Sequence, residues 1–155
     1  MKKWVVIIGI VSLVVIWQLL LLYKGFKSAE VQEAEQALAV AEAETNLGPV
    51  HSVEYYPGDR GHHVITGESR SGDGIIIWVQ EGKVWEEQLS DGVSREHIIS
   101  KLPNAEIRRI LPGMITTSNG QKQPIWDVYC IGGEGEARYE YFDFFTGESI
   151  KTIPF

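Results

Sequence analysis

The sequence predicts an α+β protein: one membrane-spanning helix, then two tandem units in each of which a helix packs on an antiparallel sheet. Three observations carry this. An uncharged run of 20 residues, Trp4–Tyr23, opens the chain; an Ala- and Glu-rich segment follows it; and from Val50 onward short apolar stretches alternate with Gly, Pro and Asp. The expected organisation is a tip and anchor at 1–27, a first unit at 28–92 and a second at 93–155.

As a helix the run "WVVIIGIVSLVVIWQLLLLY" is about 30 Å long, the thickness of a hydrocarbon core. A cleavable signal peptide has a shorter apolar region and a small-residue exit, whereas this run leaves through Tyr23-Lys24-Gly25-Phe26-Lys27. Trp4, Trp17 and Tyr23 stand where interfacial anchors belong. Lys2 and Lys3 face Lys24 and Lys27 across it, so the N-terminal amine tips the orientation towards a cytoplasmic N-terminus. The expected location is the cell membrane, single-pass, with the rest of the chain extracytoplasmic.

Beyond Lys27 lie all 21 acidic residues but only 10 of the 14 basic ones, a net charge of −11. A domain so acidic repels nucleic acid, and no basic stripe offers an alternative. Cys130 is the only cysteine, which excludes an intrachain disulfide and a Cys-based zinc site. In "WDVYC" alternation sets Cys130 on the side of Trp126 and Val128, as a small buried hydrophobe.

"SAEVQEAEQALAVAEAETN", Ser28–Asn46, predicts a helix with Ala34, Leu38 and Ala41 along one face, stopped by Leu47-Gly48-Pro49. Four strands then follow, bounded by turn residues: Val50–Tyr56, His62–Ser69, Ile75–Gln80 and Lys83–Leu89, an antiparallel meander. In the third, Ile75, Ile77 and Val79 face one way and Ile76 and Trp78 the other. Both sides are apolar, so the strand is either covered twice or left with one face awaiting a partner.

The pattern then begins again. Ser94 caps a short helix through Lys101, stopped by Pro103, and the strands "EIRRILPGMITT", "IWDVYCI" and "ARYEYFDFF" precede a Thr146-Gly147-Glu148 turn and the tail "SIKTI". Gly147 offers the positive φ of a tight corner, and Thr146 a hydroxyl that bonds back to the turn. Asp143 is then a turn acceptor rather than a catalytic acid.

No other catalytic pattern stands out. His51, His62, His63 and His97 lack metal-ligand spacing, and no nucleophile elbow, S-x-x-K, P-loop or dinucleotide fingerprint occurs. No enzyme activity, cofactor or metal is expected.

The G-V-S-x-x-x-I-I helix start, Leu111-Pro112-Gly113, Trp126-x-Val128-Tyr129 and Tyr141-x-Asp143-Phe144-x-Thr146-Gly147-Glu148 resemble a PepSY-type domain. With the Lys-led anchor, the Ala/Glu helix and "VEYYPGDRGHHVITGESRSGDGIIIWV", the whole chain resembles the TseB-like (YpmB-type) membrane proteins of Gram-positive bacteria. That resemblance implies two tandem cystatin-like, PepSY-like units outside the membrane. It also implies a non-enzymatic part in regulating cell-wall elongation and cell shape, beside a penicillin-binding transpeptidase. The alternative is a PepSY-type modulator or sensor of a membrane or secreted peptidase. Tyr55, Tyr56, Trp85 and Tyr129 are the candidate partner contacts, as aromatics at strand ends or outer faces; the other possibility is that they close the cores of the two units.

Overall fold

The structure, a computed structural model, describes residues 2–58 and 60–155, with side chains from residue 12 onward except those of 22, 24–28 and 59. Two compact units divide it, Met1–Gln36 and Ala37–Phe155. Helix α1 (Lys2–Glu44) forms the first and lends its last two turns to the second. Trp4 and the lysines Lys2, Lys3, Lys24 and Lys27 lie outside the described side chains. In the described part of the apolar run, Leu13, Ile16, Trp17, Leu20 and Tyr23 are all exposed. Among the described residues no helix is long and apolar enough to cross a membrane.

The second unit is α+β, with two four-stranded antiparallel meanders. The first sheet runs β1 (Leu47–Tyr56), β2 (His62–Ser69), β3 (Gly74–Gln80), β4 (Lys83–Gln88). A 3-10 turn at Leu89–Asp91 and helix α2 (Arg95–Ser100) follow. The second sheet runs β5 (Glu106–Thr116), β6 (Lys122–Ile131), β7 (Ala137–Asp143), β8 (Ser149–Pro154). Ser94 caps α2 as its sequence position predicts: its hydroxyl accepts from the His97 amide at 3.2 Å.

Two boundaries differ from expectation. The helix ends at Glu44, because the Thr45 hydroxyl donates to the Ala41 carbonyl at 2.7 Å and accepts from the Leu47 amide at 3.3 Å, which satisfies the end without a glycine. Strand β1 then starts at Leu47 and runs through Pro49 with two register shifts. A proline is tolerated there because β1 is an edge strand, where a missing N–H costs no ladder bond.

The two alternatives for β3 resolve in favour of double cover. Ile75, Ile77 and Val79 pack with Ile65, Leu47 and the small Ala37 and Ala41 of α1, whose short side chains bring that helix close to the sheet. On the opposite side Ile76 and Trp78 join Val64 and Tyr56 in a core shared with α2 and the second sheet, through Ile98, Leu102, Met114, Trp126, Val128, Cys130, Phe142 and Phe144. Trp78 is 0% exposed and meets Phe144 edge to face at 5.6 Å, while Phe144 stacks on Trp126 at 6.0 Å. Such aromatic pairs add to the area they bury. Trp78→Ala is therefore expected to lower unfolding free energy by about 3–5 kcal/mol, read as a lower urea midpoint with both sheets destabilised together.

Candidate protein-contact surface

The antiparallel register sets the side chains of the second sheet in rows, because residues directly opposite one another project from the same face. One row holds Arg109, Tyr129, Tyr139 and Ile153; the next holds Leu111, Asp127, Tyr141 and Lys151; a third begins with Gly113, Ile125 and Asp143. These lie on the face away from Trp126, Val128 and α2, and the first two rows are mostly half-exposed. Tyr129 and Tyr139 stand 5.1 Å apart, and Phe155, 76% exposed, closes on Tyr139 at 5.2 Å. Arg109 lies over the Tyr139 ring at 5.7 Å. Tyrosine, phenylalanine and arginine are among the residues enriched at protein interfaces.

The inner end of this face is covered by the first sheet. Tyr56, 1% exposed, lies against Gly113, where any Cβ would come within 2.7 Å of its ring. A residue larger than glycine would push the tyrosine off. Tyr56 Oη and Asp127 Oδ1 each lack a well-formed hydrogen bond, yet they are close enough to perturb each other. Burial, then the charge of Asp127 and the neighbouring Tyr141, hold the Tyr56 phenol far above its ordinary value. Burial likewise raises Asp127, which is 4% exposed, while Tyr56 and the Arg109 guanidinium at 3.8 Å pull it back. The outcome is a buried polar contact between the two sheets.

At the β7–β8 corner, Asp143 Oδ1 accepts from the amides of Phe145 at 2.9 Å and Thr146 at 2.8 Å, and Oδ2 accepts from Gln123 at 2.8 Å. Burial alone would raise this carboxyl, but those hydrogen bonds outweigh it and hold it below its ordinary value. The Thr146 hydroxyl accepts from the Glu148 amide at 3.2 Å, and Gly147 has φ 68°. Both carboxylate oxygens of Asp143 are thus engaged, Oδ1 by the corner amides and Oδ2 by Gln123 of β6. Among the described residues no group of three or more His, Cys, Asp or Glu side chains is placed to hold a metal ion.

The four aromatics singled out from the sequence fall in different places. Tyr129 is on the open face, beside Tyr139. Tyr55, 52% exposed, stands at the end of β1 against His63, 5.4 Å between rings. Trp85 is half-buried at the margin of the shared core, with the Lys122 ammonium 5.9 Å from its ring. Tyr56 is in that core. Arg109, Asp127, Tyr139 and Tyr141 join Tyr129 on this face: alternation in "WDVYC" and "ARYEYFD" sets the last three on Tyr129's side, and pairing with β6 sets Arg109 there. Tyr56→Ala is expected to cost about 3–5 kcal/mol and Tyr139→Ala less than about 1 kcal/mol in chemical melts, since only the first empties a core.

The raised Asp127 gives a pH signature. As pH climbs from the ordinary 3.8 through the higher native value, the unfolded chain loses its proton first, so this group's contribution to stability falls. Asp127→Asn cannot titrate and removes that slope, so the variant's stability relative to the native chain should rise between about pH 4 and about pH 7 in melts.

Residues 36–80 match the cell wall elongation regulator TseB-like domain. The chain is 27% identical over 160 residues to the probable cell wall elongation regulator TseB of Bacillus subtilis (strain 168), covering 96% of this chain and 93% of that one. It is also similar to the solved structure of the YpmB protein from Bacillus subtilis, with a TM-score of 0.68 and 26% identity over 77% of this chain and 95% of that chain. Domain match, near full-length relative and solved neighbour agree in one likeness: the chain resembles the TseB/YpmB-type proteins.

Proposed function

We propose that this protein is a membrane-anchored, extracytoplasmic regulator of cell-wall elongation that works by protein contact rather than by chemistry, with a penicillin-binding transpeptidase as its partner. The observation that carries the reading is the likeness, across nearly the whole of both chains, to a protein named as a probable cell wall elongation regulator. Two features of the molecule support it. The only buried carboxylate on the open sheet face among the described residues, Asp127, lies beside Tyr56 and is paired with Arg109, so the face offers aromatic contact area. The uncharged Trp4–Tyr23 run, whose described side chains are exposed around the helix and apolar apart from Ser12 and Gln18, is suited to lipid, which would hold the second unit at the membrane surface.

Crosslinking the full chain in membranes of its own source, followed by co-purification and mass spectrometry, tests this directly. Enrichment of a penicillin-binding transpeptidase over an unrelated single-pass protein is the expected result. Enrichment of no wall-synthesis protein would reject the reading, and so would cleavage of peptidoglycan fragments by the purified protein.

A further inference from the structure

We infer that Arg109 is a proton-controlled arm: the ionised carboxylate of Asp127 holds its guanidinium against the second sheet, and a proton taken from solvent by that carboxylate releases the guanidinium towards water. The device belongs to the chain alone, goes beyond the contact reading and does not rest on it.

Three polar atoms buried in one place motivate it. Tyr56 Oη from β1, Arg109 Nε from β5 and Asp127 Oδ1 from β6 are each shut off from solvent without a well-formed hydrogen bond among the described residues. Buried polar groups are ordinarily satisfied, and a network only partly satisfied is marginal. The link between Arg109 and Asp127 is correspondingly loose. Its N···O separation is 3.8 Å, beyond hydrogen-bonding distance, so charge attraction holds the arm and no shared hydrogen does. The two ends also differ in exposure: Asp127 is buried, whereas the Arg109 side chain is 36% exposed. A buried carboxylate depends on its counter-charge, while a half-exposed guanidinium exchanges that partner for water at little cost. With the carboxyl neutral, the attraction is gone, and Arg109 is left with solvent and the Tyr139 ring, 5.7 Å away.

The neighbours leave the control to this one carboxyl. Around Asp127 stand Tyr56 of β1 with the His62 ring of β2 behind it at 4.8 Å, Arg109 of β5, Tyr139 and Tyr141 of β7, and Lys151 of β8 at the end of the row. Burial, then the charge of Asp127, holds the phenols of Tyr56 and Tyr141 above their ordinary values, so neither ionises ahead of the carboxyl. A guanidinium and an ammonium keep their charge in acid. Asp143, in the next row, titrates lower, since the corner's hydrogen bonds outweigh its burial. For Asp127 burial outweighs the pull of Tyr56 and Arg109, so as pH falls its proton arrives above the ordinary 3.8. Acidification therefore frees the arm while the corner at Asp143 is still intact.

The test follows three signals by NMR as pH is lowered, in the full chain in detergent micelles: the Asp127 carboxyl carbon, the Arg109 Nε–Hε pair and the His62 ring. Expected is one midpoint shared by Asp127 and Arg109, above 3.8, below which Arg109 Hε exchanges with water several-fold faster. Asp127→Asn should give that fast exchange already at neutral pH. Arg109→Gln should move the Asp127 midpoint upward, because the arm favours the ionised form and linkage is reciprocal. An Arg109 signal that stays flat while Asp127 titrates would overturn the release, and so would one that follows His62 or Asp143 instead. An Asp127 midpoint at or below 3.8, or exchange unchanged by Asp127→Asn, would overturn the proton control. Co-purification of a wall-synthesis protein is untouched by any of these outcomes and tests the contact reading separately.

Discussion

Strand β3 has no polar side, and much of the second unit's architecture follows from that. A strand with Ile75, Ile77 and Val79 on one face and Ile76 and Trp78 on the other must be covered twice, since water on either side would leave several large side chains exposed. The chain meets this with its own N-terminal flank on one side and its own C-terminal half on the other. Alanines at 37 and 41 suit the first cover, because a helix with larger residues there would stand further from the sheet. The second cover is aromatic: Trp78, Phe144 and Trp126 form a continuous cluster of rings that only exists once both sheets are present.

The same arrangement explains why the two meanders, so alike in plan, end in different surroundings. The first is enclosed, whereas the second has one inner face and one outer face. Tyr56 reaches across from the first sheet to the edge of that outer face, made possible by the absence of a side chain at Gly113. Its phenol and the buried Asp127 carboxyl are poorly satisfied, and a contact of that kind is retained for specificity more than for net stability. It pins the relation of the two sheets at the margin of the open tyrosine rows.

Much of this was legible in the sequence because the chain is heavily punctuated. Glycine, proline and aspartate between apolar runs gave the strands and their antiparallel order, and Ser94 marked the start of α2. The β1 start was hidden because Pro49 reads as a stop unless the strand is known to lie at an edge. Which of the two outcomes β3 would meet was also hidden, since the residues that cover it are distant in the chain. For the contact surface, Tyr129 could be named but its neighbours could not: Tyr139, Arg109 and Tyr141 come together through register across three strands. Adjacent Tyr55 and Tyr56 illustrate the limit. Alternation says they point to opposite sides, and only tertiary packing says that one is core and the other surface.

The aromatic cluster also has a temporal meaning. Synthesis delivers β1 to β4 first, and their hairpins pair locally without waiting for anything downstream. Yet the cover of Trp78 and Ile76 is complete only when Phe144 arrives, more than sixty residues later. Throughout that interval the nascent first sheet carries a large unburied apolar surface, and its completion is a late event set by the far end of the chain. Folding of this unit is thus sequential in its hydrogen bonds but all at once in its core.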